Sequence, residues 1–165
     1  MRWLMSADPH GTARTDEDLK WSMAVYEDAY ELAEEYGAQA VCWLGDFLHF
    51  KYGFEMRLLL EVEEIIVEYK RRGIDTYGIP GNHDKPWEEE ADKVALKLLS
   101  GNWYCDARCI EIEGTLYGFL PWFPAGQFAE ESKKLARQAM DHKGLKFLFS
   151  HTPLQEGFVS PTCLS

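Results

Sequence analysis

Residues 74–84 read IDTYGIPGNHD, and this stretch carries the strongest fold signal in the chain. Its first six residues predict a buried β-strand, which the Pro-Gly pair then ends. Asn82, His83 and Asp84 follow at the strand end and bring together an amide, an imidazole and a carboxylate. Together with Gly81, these three residues also suit an ordinary turn, so their interpretation depends on the other strand ends.

The arrangement recurs elsewhere. Three further predicted strands end at a histidine, in two cases with an aspartate: residues 2–7 before Asp8 and His10, residues 39–44 before Asp46 and His49, and residues 145–149 before His151. Strands that alternate with helices predict an α/β fold with a mostly parallel sheet. Ligands bind in such sheets at the carboxyl ends of the strands, where these side chains would meet.

Helices are predicted between the strands from apolar residues at helical spacing and from the glycines that end them, over residues 15–37, 54–72, 86–101 and 127–142. Residues 110–112 and 116–120 predict a hairpin with Glu113 and Gly114 at its turn. Because no repeat or linker-like segment divides the chain, we expect one domain over residues 1–165.

The composition restricts the function. Seventeen basic residues against 28 acidic ones give a net charge of −11, which argues against broad adhesion to nucleic acid or anionic membranes. It does not exclude a phosphate-bearing substrate, because bound divalent cations would reverse the sign locally.

No apolar segment approaches the ~18 residues of a membrane span. The N-terminal segment is too short for a signal peptide, and the four cysteines are too scattered for a disulfide scaffold. We therefore expect a reduced, cytoplasmic protein without a membrane partner.

Four of the five histidines fall in the strand-end loops. Imidazole nitrogens combined with carboxylate or amide oxygens suit Mn²⁺, Fe²⁺ or Zn²⁺. Two metal ions need a bridging carboxylate, and Asp46, on a turn that contains a glycine, suits that position. Each motif alone also fits a turn or a buried histidine, and His49 could pack against Phe47 and Phe50. Their recurrence at four strand ends favours a metal site.

Taken in order, the four motifs resemble the calcineurin-like metallophosphoesterases: Asp8-Pro9-His10, Gly45-Asp46 with His49 three residues later, Gly81-Asn82-His83-Asp84 and Ser150-His151. The resemblance implies a sandwich of mixed, mostly parallel sheets flanked by helices. It also implies two divalent metal ions, with Mn²⁺ favoured over Fe²⁺, Zn²⁺ and Mg²⁺. The Gly-Asp-x-x-His form resembles the SbcD-type nucleases of double-strand-break repair.

The resemblance implies a role for each motif residue. Asp8 and His10 would hold the first metal, Asn82 and His151 would hold the second, and Asp46 would bridge both. His83 would contact the scissile phosphate or protonate the leaving oxygen, Asp84 would orient the ring of His83, and His49 would position the phosphate or the nucleic-acid strand. The family pattern continues with a Gly-His-x-His motif that does not follow His151 here. We therefore expect a partial domain, truncated before that motif.

Three functional hypotheses follow. The first is a DNA exonuclease or endonuclease with a two-metal centre, for which the resemblance implies an SMC-like ATPase subunit as a partner and allows a homodimer. The second is a small-molecule or generic phosphatase or phosphodiesterase of the same superfamily. The third is a non-catalytic, degenerate or partial module that binds a metal ion or a partner.

Overall fold

The computed structural model describes residues 1–49, 55–85, 94–144 and 146–151. Its elements, in chain order, are β1 (Trp3–Ser6), α1 (Asp16–Glu35), β2 (Ala40–Leu44), α2 (Met56–Arg71), β3 (Asp75–Ile79), a short 3₁₀ helix (Ala95–Leu98), β4 (Asn102–Trp103), β5 (Arg108–Ile112), β6 (Thr115–Leu120), α3 (Ala125–Ala139) and β7 (Lys146–Ser150).

Two sheets form from these strands. The first has the order β1-β2-β3-β4 with every pair parallel, and the second has the order β5-β6-β7. In the second sheet β5 is antiparallel to β6, and β7 is parallel to β6. The predicted α/β fold with mostly parallel sheets is confirmed. Since β1, β2 and β3 run in the same direction, the loops that follow them lie at one edge of the sheet.

The sheets pack face to face, and helices cover the outer faces. The core between the sheets is built from buried residues of both: Cys42, Ile79, Tyr117, Phe119 and Phe149. Helices α1 and α2 pack on the outer face of the first sheet, and α3 packs through Leu135 on the second. The layers therefore follow the order helix, sheet, sheet, helix, as expected for a sandwich flanked by helices.

Helix α1 begins as the sequence predicts. The Thr15 hydroxyl accepts a hydrogen bond from the backbone N–H of Asp18, and the Asp18 carboxylate accepts one from the N–H of Thr15. This capping box satisfies two backbone donors that the first turn leaves without partners. On the inward face, Tyr26 and Tyr30 are buried against β2, so the helix is fixed to the sheet that carries the strand-end loops.

The predicted α-helix over residues 86–101 is wrong in its described part. Residues 86–93 lie outside the described residues, and the chain from Val94 onward forms only the 3₁₀ helix Ala95–Leu98 before it enters β4. The cause lies in tertiary contacts. The Glu63 carboxylate of α2 accepts hydrogen bonds from the backbone N–H and the hydroxyl of Ser100. Gly101 then turns the chain through the left-handed region, at φ 114°.

Two other predictions meet different outcomes. The hairpin is confirmed, with both Glu113 and Gly114 in the left-handed conformation of a tight two-residue turn. By contrast β7, predicted as a buried strand, is an edge strand among the described residues, and its Phe147 and Leu148 are 46% and 60% exposed. Residue 145, where that strand was predicted to begin, lies outside the described residues.

The described residues also bear on the thiols and on membrane insertion. Cys42, Cys105 and Cys109 are free thiols, as the sequence predicts for them. Among the helices of the described segments, none has both the length and the apolar character needed to cross a membrane.

Candidate metal centre

The polar side chains predicted at the strand ends come together at one edge of the first sheet. They come from the loop after β1 (Asp8, His10), the loop after β2 (Asp46, His49), the loop after β3 (Asn82, His83) and the position directly after β7 (His151). Because β7 belongs to the other sheet, the cluster spans the junction between the two layers.

Backbone hydrogen bonds hold the first two loops together beyond the ends of their strands. The N–H groups of Asp8 and His10 donate to the carbonyls of Gly45 and Asp46 at 3.1 and 3.0 Å. The N–H of His49 donates back to the carbonyl of Gly11 at 2.8 Å. This short parallel ladder continues the pairing of β1 with β2, so the side chains of both loops emerge in a fixed register.

The backbone of these loops is strained where the side chains are needed. Asp8, His10 and Asp46 adopt φ angles of 55°, 48° and 49°, in the left-handed region that non-glycine residues rarely occupy. Among the described residues, the one other non-glycine case is Glu113 in the hairpin turn. Strained residues persist only where the surrounding structure holds them, and they concentrate at ligand and catalytic sites.

Asp46 lies at the centre of the cluster. Its side chain is 7% exposed, and its Oδ2 lies 3.7 Å from Nε2 of His10 and 4.0 Å from Nε2 of His83. Its Oδ1 lies 3.3 Å from Nε2 of His151 and accepts a hydrogen bond from the backbone N–H of His83. Burial raises the pKa of Asp46, but His151 and His83 outweigh that effect and the pKa is lowered. The carboxylate is therefore held in its charged form.

His151 has a fixed orientation. Its Nδ1 lies 2.7 Å from the carbonyl oxygen of Leu44. Because a carbonyl can only accept, Nδ1 carries the hydrogen, and Nε2 turns its lone pair toward the Asp46 carboxylate unless a second proton binds. Two electron-rich atoms 3.3 Å apart attract a proton or a metal cation between them. Metal-bound histidines commonly donate their other N–H in this way.

The pKa of His151 supports the same conclusion. Burial of the ring lowers it, but the carboxylates of Asp46 and Asp8 and the carbonyl of Leu44 outweigh that effect, and the pKa is raised. The pair formed by His151 and Asp46 therefore favours a bound positive charge.

Two glycines make room for this arrangement. A Cβ atom at Gly81 would lie 2.1 Å from Oδ1 of Asp46 and 2.7 Å from Nε2 of His151. A Cβ atom at Gly45 would lie 2.1 Å from Nδ1 of His151. Asn82 follows Gly81 directly and lies half-buried between two residues that contact Asp46. The mixed nitrogen and oxygen donors of this cluster fit a divalent ion such as Mn²⁺, Fe²⁺ or Zn²⁺.

Three imidazoles form the outer part of the cluster. The rings of His49 and His83 stack at 5.1 Å between centroids, and His10 lies 5.5 Å from the first and 4.7 Å from the second. Asp8 is more exposed, and its Oδ1 lies 3.8 Å from Nδ1 of His151. The structure thus brings together the histidines and aspartates that the sequence placed at four separate strand ends.

Asp84 differs from the expectation. The family resemblance implies that its carboxylate orients the ring of His83, but the carboxylate accepts hydrogen bonds from the backbone N–H groups of Phe47, Leu48 and Gly81. The carboxyl group lies fully buried beneath the loops, where these three donors surround it. Burial raises the pKa of Asp84 to about 7, although the three N–H groups oppose that rise. Asp84 therefore joins the loops after β2 and β3.

Two residues outside the predicted set support the loops from behind. The Tyr26 hydroxyl donates to the carbonyl of Phe47 at 2.5 Å, and the Glu55 carboxylate accepts from the Thr12 hydroxyl and the N–H of Ala13. Tyr26 occupies an apolar position of α1, where Phe would fill the same space. The presence of Tyr at this position is therefore the feature of the sequence that could indicate a role for the hydroxyl. Glu55 has no comparable signal, because its partners lie about 40 residues away along the chain.

The fold is a two-sheet sandwich flanked by helices, and the cluster where the two sheets meet contains groups that could hold a metal ion. The family model for the calcineurin-like phosphoesterases matches residues 1–161, so the chain belongs to that family. The family generally binds divalent metal ions. No curated protein matches the chain significantly.

A nuclease is among the solved structures that are similar to this chain. It is the nuclease MPE of Pseudomonas putida, with 24% sequence identity and a TM-score of 0.47. The match covers 70% of this chain and 52% of the nuclease, so the chain spans about half the length of that protein.

Proposed function

We propose that this protein is a metal-dependent phosphodiesterase whose substrate is DNA. Membership of the phosphoesterase family supports hydrolysis of a phosphate ester. The observation that carries the proposal is the position of Asp46, whose two carboxylate oxygens lie within 4.0 Å of imidazole nitrogens from three different elements. One carboxylate between several nitrogen donors suits a bridge between two divalent ions.

In this proposal five residues would hold two ions, with Mn²⁺ favoured: Asp8, His10, Asp46, Asn82 and His151. When bound, such ions polarise the phosphoryl oxygens and neutralise the charge that develops on them. The acidic net charge of the chain makes this contribution necessary, because the phosphate groups of DNA are otherwise repelled.

Two imidazoles of the chain would act on the substrate directly. His83 would donate a proton to the leaving oxygen, and His49, stacked beside it, would position the phosphate. The proton donor is held firmly, because the backbone N–H of His83 donates to Asp46 at 2.8 Å. The preference for DNA is supported by the Gly-Asp-x-x-His form of the second motif, which ends at His49 and resembles the SbcD-type nucleases.

The test compares three substrates in the presence of Mn²⁺: linear duplex DNA, bis-p-nitrophenyl phosphate and p-nitrophenyl phosphate. We expect cleavage of the two diesters in preference to the monoester, and none by an Asp46→Asn variant. Preference for the monoester would support a generic phosphatase. If the wild-type chain binds Mn²⁺ but hydrolyses none of the three, it is a non-catalytic module and the proposal is wrong.

A further inference from the structure

His10, His49 and His83, which we call the three-imidazole cluster, form a donor set that contains no carboxylate. One ring nitrogen from each residue lies within 4.8 Å of the other two, and all three residues are half-buried. This set differs from the mixed cluster of Asp8, His10 and Asp46, in which one ligand atom from each residue also lies within 4.8 Å of the other two. His10 belongs to both.

The two nitrogens of His10 face different neighbours. Its Nε2 lies 3.7 Å from Oδ2 of Asp46, and its Nδ1 lies 3.4 Å from Nδ1 of His49. The ring of His10 therefore has a carboxylate near one nitrogen and the imidazole of His49 near the other. An ion bound to Nε2 would have Asp46 as a neighbour, whereas an ion bound to Nδ1 would have His49.

The spacing on the imidazole side suits a metal ion. Zn²⁺ holds imidazole nitrogens at about 2.0–2.1 Å, so two nitrogens at tetrahedral positions lie about 3.4 Å apart. This matches the separation between the Nδ1 atoms of His10 and His49. Three histidines with an open fourth position also form a common zinc-binding arrangement in proteins.

The backbones that carry these rings are already fixed. The N–H of His10 donates to the carbonyl of Asp46, the N–H of His49 donates to the carbonyl of Gly11, and the N–H of His83 donates to the carboxylate of Asp46. The chain therefore does not need to reorganise its loops to bring three imidazoles to one ion.

We propose that the three-imidazole cluster is a site for Zn²⁺ or Cu²⁺ that competes with the mixed cluster for His10. Neutral imidazoles without a carboxylate suit Zn²⁺, Ni²⁺ and Cu²⁺, whereas Mn²⁺ prefers sites with carboxylate oxygens. Occupation of this site engages His49 and His83 as well. The consequence for activity rests on the proposed function: Zn²⁺ inhibits phosphodiester hydrolysis supported by Mn²⁺.

Metal titrations of the full chain test the site without reference to activity. His49→Ala is expected to weaken Zn²⁺ binding by about tenfold or more, because loss of a metal-supporting partner alone costs 10–100-fold, and to leave Mn²⁺ binding unchanged. Asp8→Asn is expected to weaken Mn²⁺ binding and to leave Zn²⁺ binding unchanged. His142 lies three residues after α3, and His142→Ala is the matched control that is expected to change neither affinity.

Electron paramagnetic resonance of Cu²⁺ bound to the wild-type chain gives a second measurement that needs no variant. We expect coupling to three imidazole nitrogens. Coupling to fewer, or unchanged Zn²⁺ affinity in a folded His49→Ala variant, would overturn the site. If the titrations behave as expected but no phosphodiester is cleaved with Mn²⁺, the proposed function fails and the metal site stands.

Discussion

Nε2 of His151 lies 3.3 Å from Oδ1 of Asp46, although the two residues follow strands of different sheets. His151 follows β7 and Asp46 follows β2, so this contact crosses the sandwich. The same ring is fixed to the first sheet through the carbonyl of Leu44. The candidate metal centre therefore depends on the packing of the two sheets, and not on one loop alone.

Asp46→Asn is expected to abolish binding of the metal pair, because the amide keeps the size of the side chain and removes the charge shared by its neighbours. Isothermal titration with Mn²⁺, with metal analysis of the dialysed protein, measures the effect. Asp141→Asn changes an exposed acid after α3 and serves as the control. Unchanged stoichiometry in Asp46→Asn would remove Asp46 from its proposed role.

Gly81→Ala is expected to lower Mn²⁺ affinity at least tenfold, because the new Cβ would lie 2.1 Å from Oδ1 of Asp46 and must displace the carboxylate or His151. Gly126→Ala is the matched control, since a Cβ there meets no atom within 4 Å. That change lies in α3 and is expected to stabilise the fold slightly, by about 0.5–1 kcal/mol. Equal Mn²⁺ affinity in both variants would show that the glycine is not required.

Local sequence signals account for most of the fold and for the membership of the cluster. The strand before Asn82 and the turn at Glu113 are visible as apolar segments ended by turn residues, and both form as predicted. The edge position of β7 could not be predicted, because an apolar segment reports hydrophobicity and not the number of neighbouring strands. Likewise, the 3₁₀ helix before β4 depends on Ser100 meeting Glu63, a contact across 37 residues.

The hydrogen-bond partners of Asp84 could not be predicted from local sequence signals either. The family resemblance implies that Asp84 orients the ring of His83, the residue directly before it. The actual partners are backbone N–H groups, two of which belong to Phe47 and Leu48 in another loop. Because nearly every residue carries a backbone N–H, the sequence does not indicate which of these groups bind Asp84. Such partners are identified only when the loops are placed in space.

Asp84→Ala is expected to destabilise the fold by at least about 3 kcal/mol, because it leaves three buried N–H groups without their acceptor and each costs about 1–3 kcal/mol. Asp84→Asn is expected to cost less, since its amide oxygen can still accept from Phe47 and Gly81. Urea unfolding followed by tryptophan fluorescence measures both. Asp141→Ala, at an exposed position, is expected to change stability by less than about 0.5 kcal/mol. A loss below 1 kcal/mol in Asp84→Ala would contradict the role of this carboxylate in joining the loops.

His83→Ala separates binding of the metal ions from turnover. His83 faces Asp46 at 4.0 Å and stacks on His49, on the side proposed for the phosphate, so its removal leaves all five proposed metal ligands in place. We expect Mn²⁺ affinity within about twofold of the wild type. Hydrolysis of duplex DNA should fall by about 10²–10⁴-fold, the usual contribution of a general acid.

Leaving-group dependence gives this prediction its sharpest check. A diester whose leaving oxygen is already a weak base, such as p-nitrophenolate, needs little protonation, whereas the alkoxide released from DNA needs it fully. His83→Ala should therefore lose more activity on duplex DNA than on the nitrophenyl diester, with kcat affected more than KM. His142→Ala, the control, should match the wild type on both substrates. An equal loss on both substrates would mean that His83 positions the phosphate and does not protonate the leaving oxygen.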